Sequence, residues 1–254
     1  MITVGIDIGA KTVKVVVAQD GKILGKGLVP AGMDTTASTQ QALDAALADA
    51  SVGKGKVEAY TATGTGRKDC ALTDNQITEV GAAAKGMTRL MESCRTVIDV
   101  GAEEGRTVRC DAGGKVIDFA YNEKCAAGAG TFAEGMARAL QVSLEELGPL
   151  SLTSNRAVQM NAQCAVFAES EVVTLIHNKT PREDIARAVL DAIASRIVSM
   201  VRKVGFEKDV ALVGGVALNP GFVEAMKRAL EMDVHVPAEP EYVGALGAAL
   251  AAAE

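Results

Sequence analysis

Two stretches of the chain repeat one pattern: VGIDIGAKTVKVVVAQDGKIL, from Val4 to Leu24, and TVIDVGAEEGRTVRCDAGGKVIDF, from Thr96 to Phe119. Both carry the core I-D-[IV]-G-A, and a strand, an Asp/Gly turn and Gly-Lys-[IV] follow that core in the same order. Short β-branched runs between turn residues predict a three-stranded meander in each stretch. Recurrence of the whole order indicates a duplicated architecture; the alternative is two unrelated hairpins that share their turn chemistry.

Strands and helices alternate along the rest of the chain, which predicts an α/β fold in two lobes. We place the boundary near Ser93, so that the N-terminal lobe spans residues 1–93 and the C-terminal lobe spans 94–242. A helix at about 243–254 is expected to pack back on the N-terminal lobe. The other expected elements are strands at Lys56–Ala62, Asp209–Val213 and Val234–Val236, and helices at about 36–50, 77–92, 131–141, 163–178, 182–204 and 220–232.

Composition argues against several classes of partner. The net charge is −6 and no stretch concentrates Lys or Arg, so a nucleic-acid backbone is not expected to bind. No apolar run reaches membrane-spanning length and the N-terminus has no signal-peptide pattern, so we expect a soluble, cytoplasmic protein without membrane contact. The five cysteines form no C-x-x-C pair, and an odd count in a reducing compartment argues against a disulfide framework.

One carboxylate stands at the first turn of each meander. Asp7-x-Gly9, followed by Lys14, and Asp99-x-Gly101 each place an Asp at a strand end beside a Gly that lets backbone amides approach a phosphate. For either loop alone, an Asp that caps a tight hairpin is the simpler interpretation. Two such loops together favour a polyphosphate gripped from both sides, with a Mg²⁺ held mainly through its waters.

A strand-to-helix turn in the C-terminal part could accept a flat ring. Gly214-Gly215 ends a predicted strand, and Asn219-Pro220 begins the following helix. Backbone without side chains beneath a helix N-terminus permits close approach of a nucleotide base. Taken alone it is an ordinary turn, and the paired loops upstream are what favour a nucleotide there.

Several other polar groups have no clear role in the sequence. The Gly-rich loop from Thr63 to Arg67 is as compatible with a solvated surface loop as with a ligand contact, and Glu79 and Lys85 are compatible with a solvated helix face. Three cysteines are interpreted as ordinary small packing residues: Cys70, Cys94 and Cys110.

The two remaining cysteines each precede a predicted helix. Cys125 lies in YNEKCAAGAGTFAEGMARAL (121–140) and Cys164 in NAQCAVFAESEVVTLI (161–176). A helix N-terminus favours negative charge and therefore a thiolate, and two thiolates are half of a four-thiolate iron–sulfur site. Their spacing is no metal signature, so on the residues alone packing by small side chains is the simpler interpretation.

Seven motifs, in order and spacing, resemble the ATP-dependent activators of 2-hydroxyacyl-CoA dehydratases and the related ATPase subunits of benzoyl-CoA reductase. These motifs are GIDIGAKTVK, VIDVGAEEGR, NEKCAAGAGTF, QCAVFAESEV, PREDIA, LVGGVALNPG and GALGAAL. The resemblance covers nearly the whole chain. It implies two duplicated ribonuclease H-like lobes, the fold of actin, sugar kinases and Hsp70-like ATPases, with ATP or ADP and Mg²⁺ in the cleft between them.

The resemblance also implies an assembly. One [4Fe–4S] cluster would be bridged by Cys125 and Cys164 of this chain and the equivalent cysteines of a second copy or a homologous subunit. Such a dimer takes an electron from a donor such as ferredoxin or flavodoxin. ATP binding and hydrolysis then drive that electron to an iron–sulfur dehydratase or reductase component. A small-molecule kinase of the same fold, or an ATP-gated interaction module in which the cysteines only pack, are the alternatives.

Residue roles carried over by motif define a candidate site. The expected catalytic residues are Asp7, Asp99 and Glu103, the last as the group that orients water. The expected nucleotide-binding residues are Gly9, Ala10, Lys11, Thr12, Lys14, Gly101, Ala102, Gly128, Gly130, Gly214, Gly215 and Asn219. The chain departs from the family in two places, with G-A-E-E where many dehydratase activators have G-G-Q-D, and Ala82-Ala83 where members often have Cys-His.

Overall fold

The computed structural model describes residues 1–73, 75–122, 130–160 and 165–254. Its N-terminal sheet has four strands in the order β3-β2-β1-β4. Strand β1 is antiparallel to β2 and parallel to β4, and β2 is antiparallel to β3. The strands are β1 (Ile2–Ile8), β2 (Thr12–Gln19), β3 (Lys22–Pro30) and β4 (Ala59–Thr63).

The second sheet repeats this topology strand for strand. Its order is β7-β6-β5-β8, with β5 antiparallel to β6 and parallel to β8. Even the register shift recurs, between Val17 and Ala18 in β2 and between Arg109 and Cys110 in β6. The strands are β5 (Thr96–Val100), β6 (Gly105–Cys110), β7 (Val116–Tyr121) and β8 (Val210–Val213). The predicted duplicated α/β architecture is therefore confirmed.

Eight helices are present in the described ranges. They are α1 (Thr35–Asp49), α2 (Glu79–Leu90), α3 (Gly130–Leu140), α4 (Leu144–Leu152), α5 (Ala165–His177), α6 (Arg182–Val204), α7 (Pro220–Leu230) and α8 (Val243–Ala251). None of these described helices is long and apolar enough to cross a membrane.

Helices cover both faces of each sheet, because the strands present apolar side chains on both sides. Helix α1 packs on one face of the N-terminal sheet, and α8 packs on the other, against Val16 and Ala18. Helix α2 packs on one face of the C-terminal sheet, against Val97 and Val108, and α6 lies in the large core on the opposite face. Thus α2, from the first half of the chain, covers the second sheet, and the C-terminal α8 covers the first.

Helices α2 and α8 also pack on each other, with backbone against backbone. A Cβ atom on Gly247 would lie 1.8 Å from the carbonyl oxygen of Ala82, and one on Gly86 would lie 2.2 Å from that of Val243. Only glycine allows so close a crossing. This crossing joins the two halves of the molecule beside the cleft described next.

Candidate functional site

A cleft of about 560 Å³ is lined by residues of both sheets. Its walls include the turn between β1 and β2, the turn between β5 and β6, and the segments that follow β4 and β8. The predicted site residues in the described ranges all line it: Asp7, Gly9, Ala10, Lys11, Thr12, Lys14, Asp99, Gly101, Ala102, Glu103, Gly130, Gly214, Gly215 and Asn219. Three predicted residues, Cys125, Gly128 and Cys164, lie outside the described residues.

The two carboxylate loops are built alike. The amide of Gly9 donates to the carbonyl of Thr12 (3.1 Å), and the amide of Gly101 donates to the carbonyl of Glu104 (2.9 Å). These short turns fix the register of the antiparallel strands, so that each Asp faces a cation on the neighbouring strand. Lys14 Nζ lies 3.2 Å from Asp7 Oδ2.

In the second loop the cation is an arginine. Arg106 Nη1 lies 3.1 Å from Asp99 Oδ2, and its Nη2 lies 2.9 Å from Glu104 Oε2. Burial alone would lower the pKa of Arg106, but Asp99, Glu79 and Glu104 outweigh burial and the pKa is raised. Arg106 was not predicted from the sequence, although its position opposite Asp99 matches that of Lys14 opposite Asp7.

A second pair of equivalent loops follows the parallel strands β4 and β8. Gly64 and Gly214 have φ angles of +89° and +87°, in the left-handed region that favours glycine. A Cβ atom on Gly64 would lie 2.6 Å from Asp7 Oδ1, and one on Gly214 would lie 2.5 Å from Asp99 Oδ1. The loop from Thr63, whose role the sequence left open, is therefore the structural counterpart of Gly214-Gly215 and belongs to the cleft.

Helix α3 is attached to the second carboxylate loop. The amides of Gly130 and Thr131 donate to the carbonyls of Gly101 (2.9 Å) and Ala102 (2.8 Å). On the opposite side of the cleft, Lys11 of the first loop forms an ion pair with Glu134 of α3. Both carboxylate loops are thus linked to one helix.

One end of the cleft is apolar. Leu144, Val216 and Leu218 contribute apolar lining, and the two leucines are exposed. The side chain of Asn219 accepts from the amide of Phe222 (3.0 Å) and so caps α7. An exposed apolar wall at a helix N-terminus is suited to a flat aromatic ring. Sequence reasoning missed Leu144 because α4 was not predicted.

Cys70, Cys94 and Cys110 are buried, form no disulfide and do not line the cleft. Burial raises the pKa of Cys94 to about 12, and burial also raises the pKa of Cys110. The Cys94 and Cys110 thiols therefore stay protonated at neutral pH, in keeping with packing residues. Within the described ranges, no group of three or more His, Cys, Asp or Glu side chains is arranged to hold a metal ion.

Comparison with known proteins gives consistent matches over the full length. The model of the BadF/BadG/BcrA/BcrD ATPase family matches residues 4–252. The activator of lactoyl-CoA dehydratase from Anaerotignum propionicum is 39% identical, over 100% of this chain and 98% of that protein. Component A of (R)-2-hydroxyglutaryl-CoA dehydratase from Acidaminococcus fermentans superposes with a TM-score of 0.95, at 34% identity, over 99% of this chain and 97% of the other. The activator of 2-hydroxyisocaproyl-CoA dehydratase from Clostridium difficile, solved with bound ADPNP, gives a TM-score of 0.93 at 34% identity, over 99% and 94% of the two chains.

Proposed function

Because this chain belongs to the BadF/BadG/BcrA/BcrD ATPase family, we propose that it is an ATP-driven electron donor that activates a partner enzyme. The ATPase would take an electron from a donor such as ferredoxin or flavodoxin. It would pass that electron to an iron–sulfur dehydratase or benzoyl-CoA-type reductase whose substrate is a CoA thioester. The names of its dehydratase-activating relatives support this class of partner.

The carboxylate loops are proposed to bind the triphosphate of ATP. Amides of Ala10 and Ala102, beside the two glycines, would approach its oxygens from the two sides, and the cations Lys14 and Arg106 already lie in the cleft to offset its charge. Asp7 and Asp99 would hold Mg²⁺ mainly through its waters. Electrostatic stabilisation of the transferring phosphoryl group is then the main catalytic contribution of these residues.

The apolar end of the cleft is proposed to bind adenine. Gly214-Gly215 offers bare backbone to the ring, and Leu144 and Leu218 offer apolar contact. Asn219, which caps α7, would act by holding this turn in place, because its side-chain oxygen is already used.

Cys125 and Cys164 are proposed to be the ligands of a [4Fe–4S] cluster shared with a second copy or a homologous subunit. Thiolates are the ligands that such clusters require, and two per chain suffice when two chains meet. The helices α3 and α5, which follow the two cysteines in sequence, pack against each other. Bound there, the cluster would supply the low-potential electron.

Exposed apolar side chains on α5 support the dimer. Phe167 is 70% exposed, and Val173 and Ile176 on the same helix are also exposed. Val173 and Ile176 share one face of the helix and Phe167 lies on another side, so exposed apolar side chains occur around α5, as is typical of a helix that a partner covers. Because α5 begins at Ala165, directly after Cys164 in sequence, a partner that covers this helix would meet the chain beside its proposed ligand.

The hydrogen bonds from α3 to the second carboxylate loop carry this proposal. Gly130 and Thr131 donate to carbonyls of the loop that would hold phosphate, and α3 begins shortly after Cys125 in sequence. A change in that loop on ATP binding or hydrolysis would therefore move α3. Coupling further requires that ATP bind one arrangement of the lobes better than another.

Anaerobic purification tests the cluster directly. The wild type should be coloured and dimeric and contain iron and sulfide, and Cys125→Ser should lose the iron. Cys70→Ser is the matched control, since Cys70 lies in the N-terminal core, and it should keep the iron. A colourless, iron-free wild type that is still dimeric would contradict the proposal. ADP release that depends on an added sugar would instead support the kinase alternative.

A further inference from the structure

Glu79 is a charged residue in the cleft that the proposed function does not yet use. It is the first residue of α2, its side chain is only 11% exposed, and it lines the cleft. The sequence was compatible with a solvated helix face shared with Lys85, but Lys85 pairs with Glu254 instead. A carboxylate withdrawn this far from water needs cations nearby.

Cations from both lobes surround this carboxylate. Arg67 Nη1, from the loop after β4, donates to Glu79 Oε2 (2.9 Å) and also to the carbonyl of Gly64 (2.9 Å). Arg106 Nη2, from β6, lies 3.8 Å from the other oxygen, Oε1. Among the described residues, Glu79 is the one carboxylate that pairs with arginines from both sheets. Arg67 follows β4 of the N-terminal sheet, and Arg106 lies in β6 of the C-terminal sheet.

The two oxygens of Glu79 therefore differ. Oε2 is fixed by Arg67, whereas Oε1 makes an ion-pair contact with Arg106 that is too long for a hydrogen bond. Oε1 is thus left to accept a hydrogen bond from a molecule in the cleft. The paired arginines hold the carboxylate in one position.

The hydroxyl of Thr63, which also lines the cleft, has an unused hydrogen-bonding capacity. Thr63 is 1% exposed, lies opposite Asp7 in the register of β4 and β1, and lines the cleft. Its Oγ1 has no hydrogen-bond partner in the described part of the chain. A buried hydroxyl of this kind is normally satisfied, so this wall of the cleft is suited to a polar ligand or to bound water.

Glu103, the group that the sequence favoured for orienting water, is placed less well. It is exposed on the second carboxylate loop. Within the described residues its carboxylate makes no hydrogen bond or ion pair that would fix its position. A water-orienting group must be held in a defined geometry, which Glu79 satisfies and Glu103 does not.

We propose that Glu79 is a catalytic residue that orients the water attacking the terminal phosphorus of ATP, with Arg67 as its positioning residue. The water would donate to Glu79 Oε1. Its oxygen would form a bond to the terminal phosphorus as the bond to the bridging oxygen of ADP breaks, and its proton would leave with the inorganic phosphate. This inference rests on the placement of ATP proposed above.

The decisive variant is Glu79→Gln, which keeps the shape and removes the charge. We expect kcat for ATP hydrolysis to fall by about 100-fold or more. We expect the dissociation constant of a non-hydrolysable ATP analogue, measured by equilibrium titration, to stay within about threefold of wild type. Glu207→Gln is the matched control, because Glu207 pairs with Arg109 outside the cleft, and it should match wild type in both measurements.

Arg67→Gln is a second variant that keeps the test decisive if Glu79→Gln does not fold. It should lower kcat by a smaller factor at unchanged analogue affinity, because Glu79 would remain but lose its fixed position. Wild-type turnover in Glu79→Gln, or in both variants, would overturn the inference. A purely structural role would lower the melting temperature and weaken analogue binding as much as turnover, and would overturn it too. A wild type that hydrolyses no ATP would instead refute the proposed function itself.

Discussion

At the residue scale, the buried thiol of Cys94 should make the free energy of unfolding depend on pH in the alkaline range. Its Sγ contacts the carbonyl of Thr96 (3.4 Å), and burial raises its pKa from 9.0 to about 12. Between these values the unfolded chain releases a proton that the folded protein keeps. The free energy of unfolding should therefore fall as pH rises through this window, by up to about 1.4 kcal/mol per pH unit from this group.

Denaturant unfolding at about pH 8 and about pH 10 measures this contribution. The wild type should lose more stability between the two values than Cys94→Ala, which lacks the ionisable group. Equal losses in the two proteins would show that the thiol ionises equally readily in the folded and unfolded states.

The sequence predicted single residues of the cleft better than the ion pairs that they form. Asp7 and Asp99 were predicted, because a strand followed by Asp-x-Gly is a local pattern. Arg106 and Glu79 were not assigned roles, since their partners come from a neighbouring strand and from the other lobe. Contacts of that kind depend on register and on helix packing, which local patterns do not reveal.

At the scale of elements, the crossing of α2 and α8 should tolerate no added side chain. Gly247→Ala would place a Cβ atom 1.8 Å from the carbonyl oxygen of Ala82, so the two helix backbones would have to separate. We expect the free energy of unfolding to fall by about 1–3 kcal/mol, the usual range for overpacking. Gly53→Ala is the control, because nothing lies within 4 Å of its added Cβ. Equal denaturant midpoints for the two variants would contradict the close crossing.

The sequence identified elements with strong periodicity and missed weaker ones. Both meanders were predicted because their β-branched runs alternate with turn residues. Helix α4 was missed, as it is short and contains Pro149, although Ser143 and Glu146 form a capping box that the sequence displays. The expected strand Val234–Val236 is reduced to one bridge, between Ala211 and His235.

At the scale of the whole molecule, neither sheet is covered only by helices from its own half of the chain. The domain boundary near Ser93 remains a prediction, and α2 and α8 show why a linear boundary describes the packing incompletely. Helix α2 precedes that boundary yet packs on β5 and β6, and α8 packs on β1 and β2. Periodicity did not reveal that α2 packs on the second sheet, because its apolar face suits either sheet.

The hydrogen bonds between α3 and the second carboxylate loop predict that nucleotide binding stabilises α3 as well as the loops. A non-hydrolysable ATP analogue with Mg²⁺ should slow hydrogen exchange in the loops at Gly9 and Gly101, and also in α3, whose first amides donate to the second loop. Helix α1, on the face of the N-terminal sheet away from α8, should be unchanged and serves as the internal control.

Lys11→Ala tests the contact between the first carboxylate loop and α3. The substitution removes the ion pair with Glu134 but leaves the backbone hydrogen bonds between α3 and the second loop in place. The variant should therefore keep part of the change in α3 at saturating analogue. Slower exchange in the loops with none in α3 would show that phosphate binding stops at the loops, and the proposed coupling to the cysteine-bearing segment would then fail.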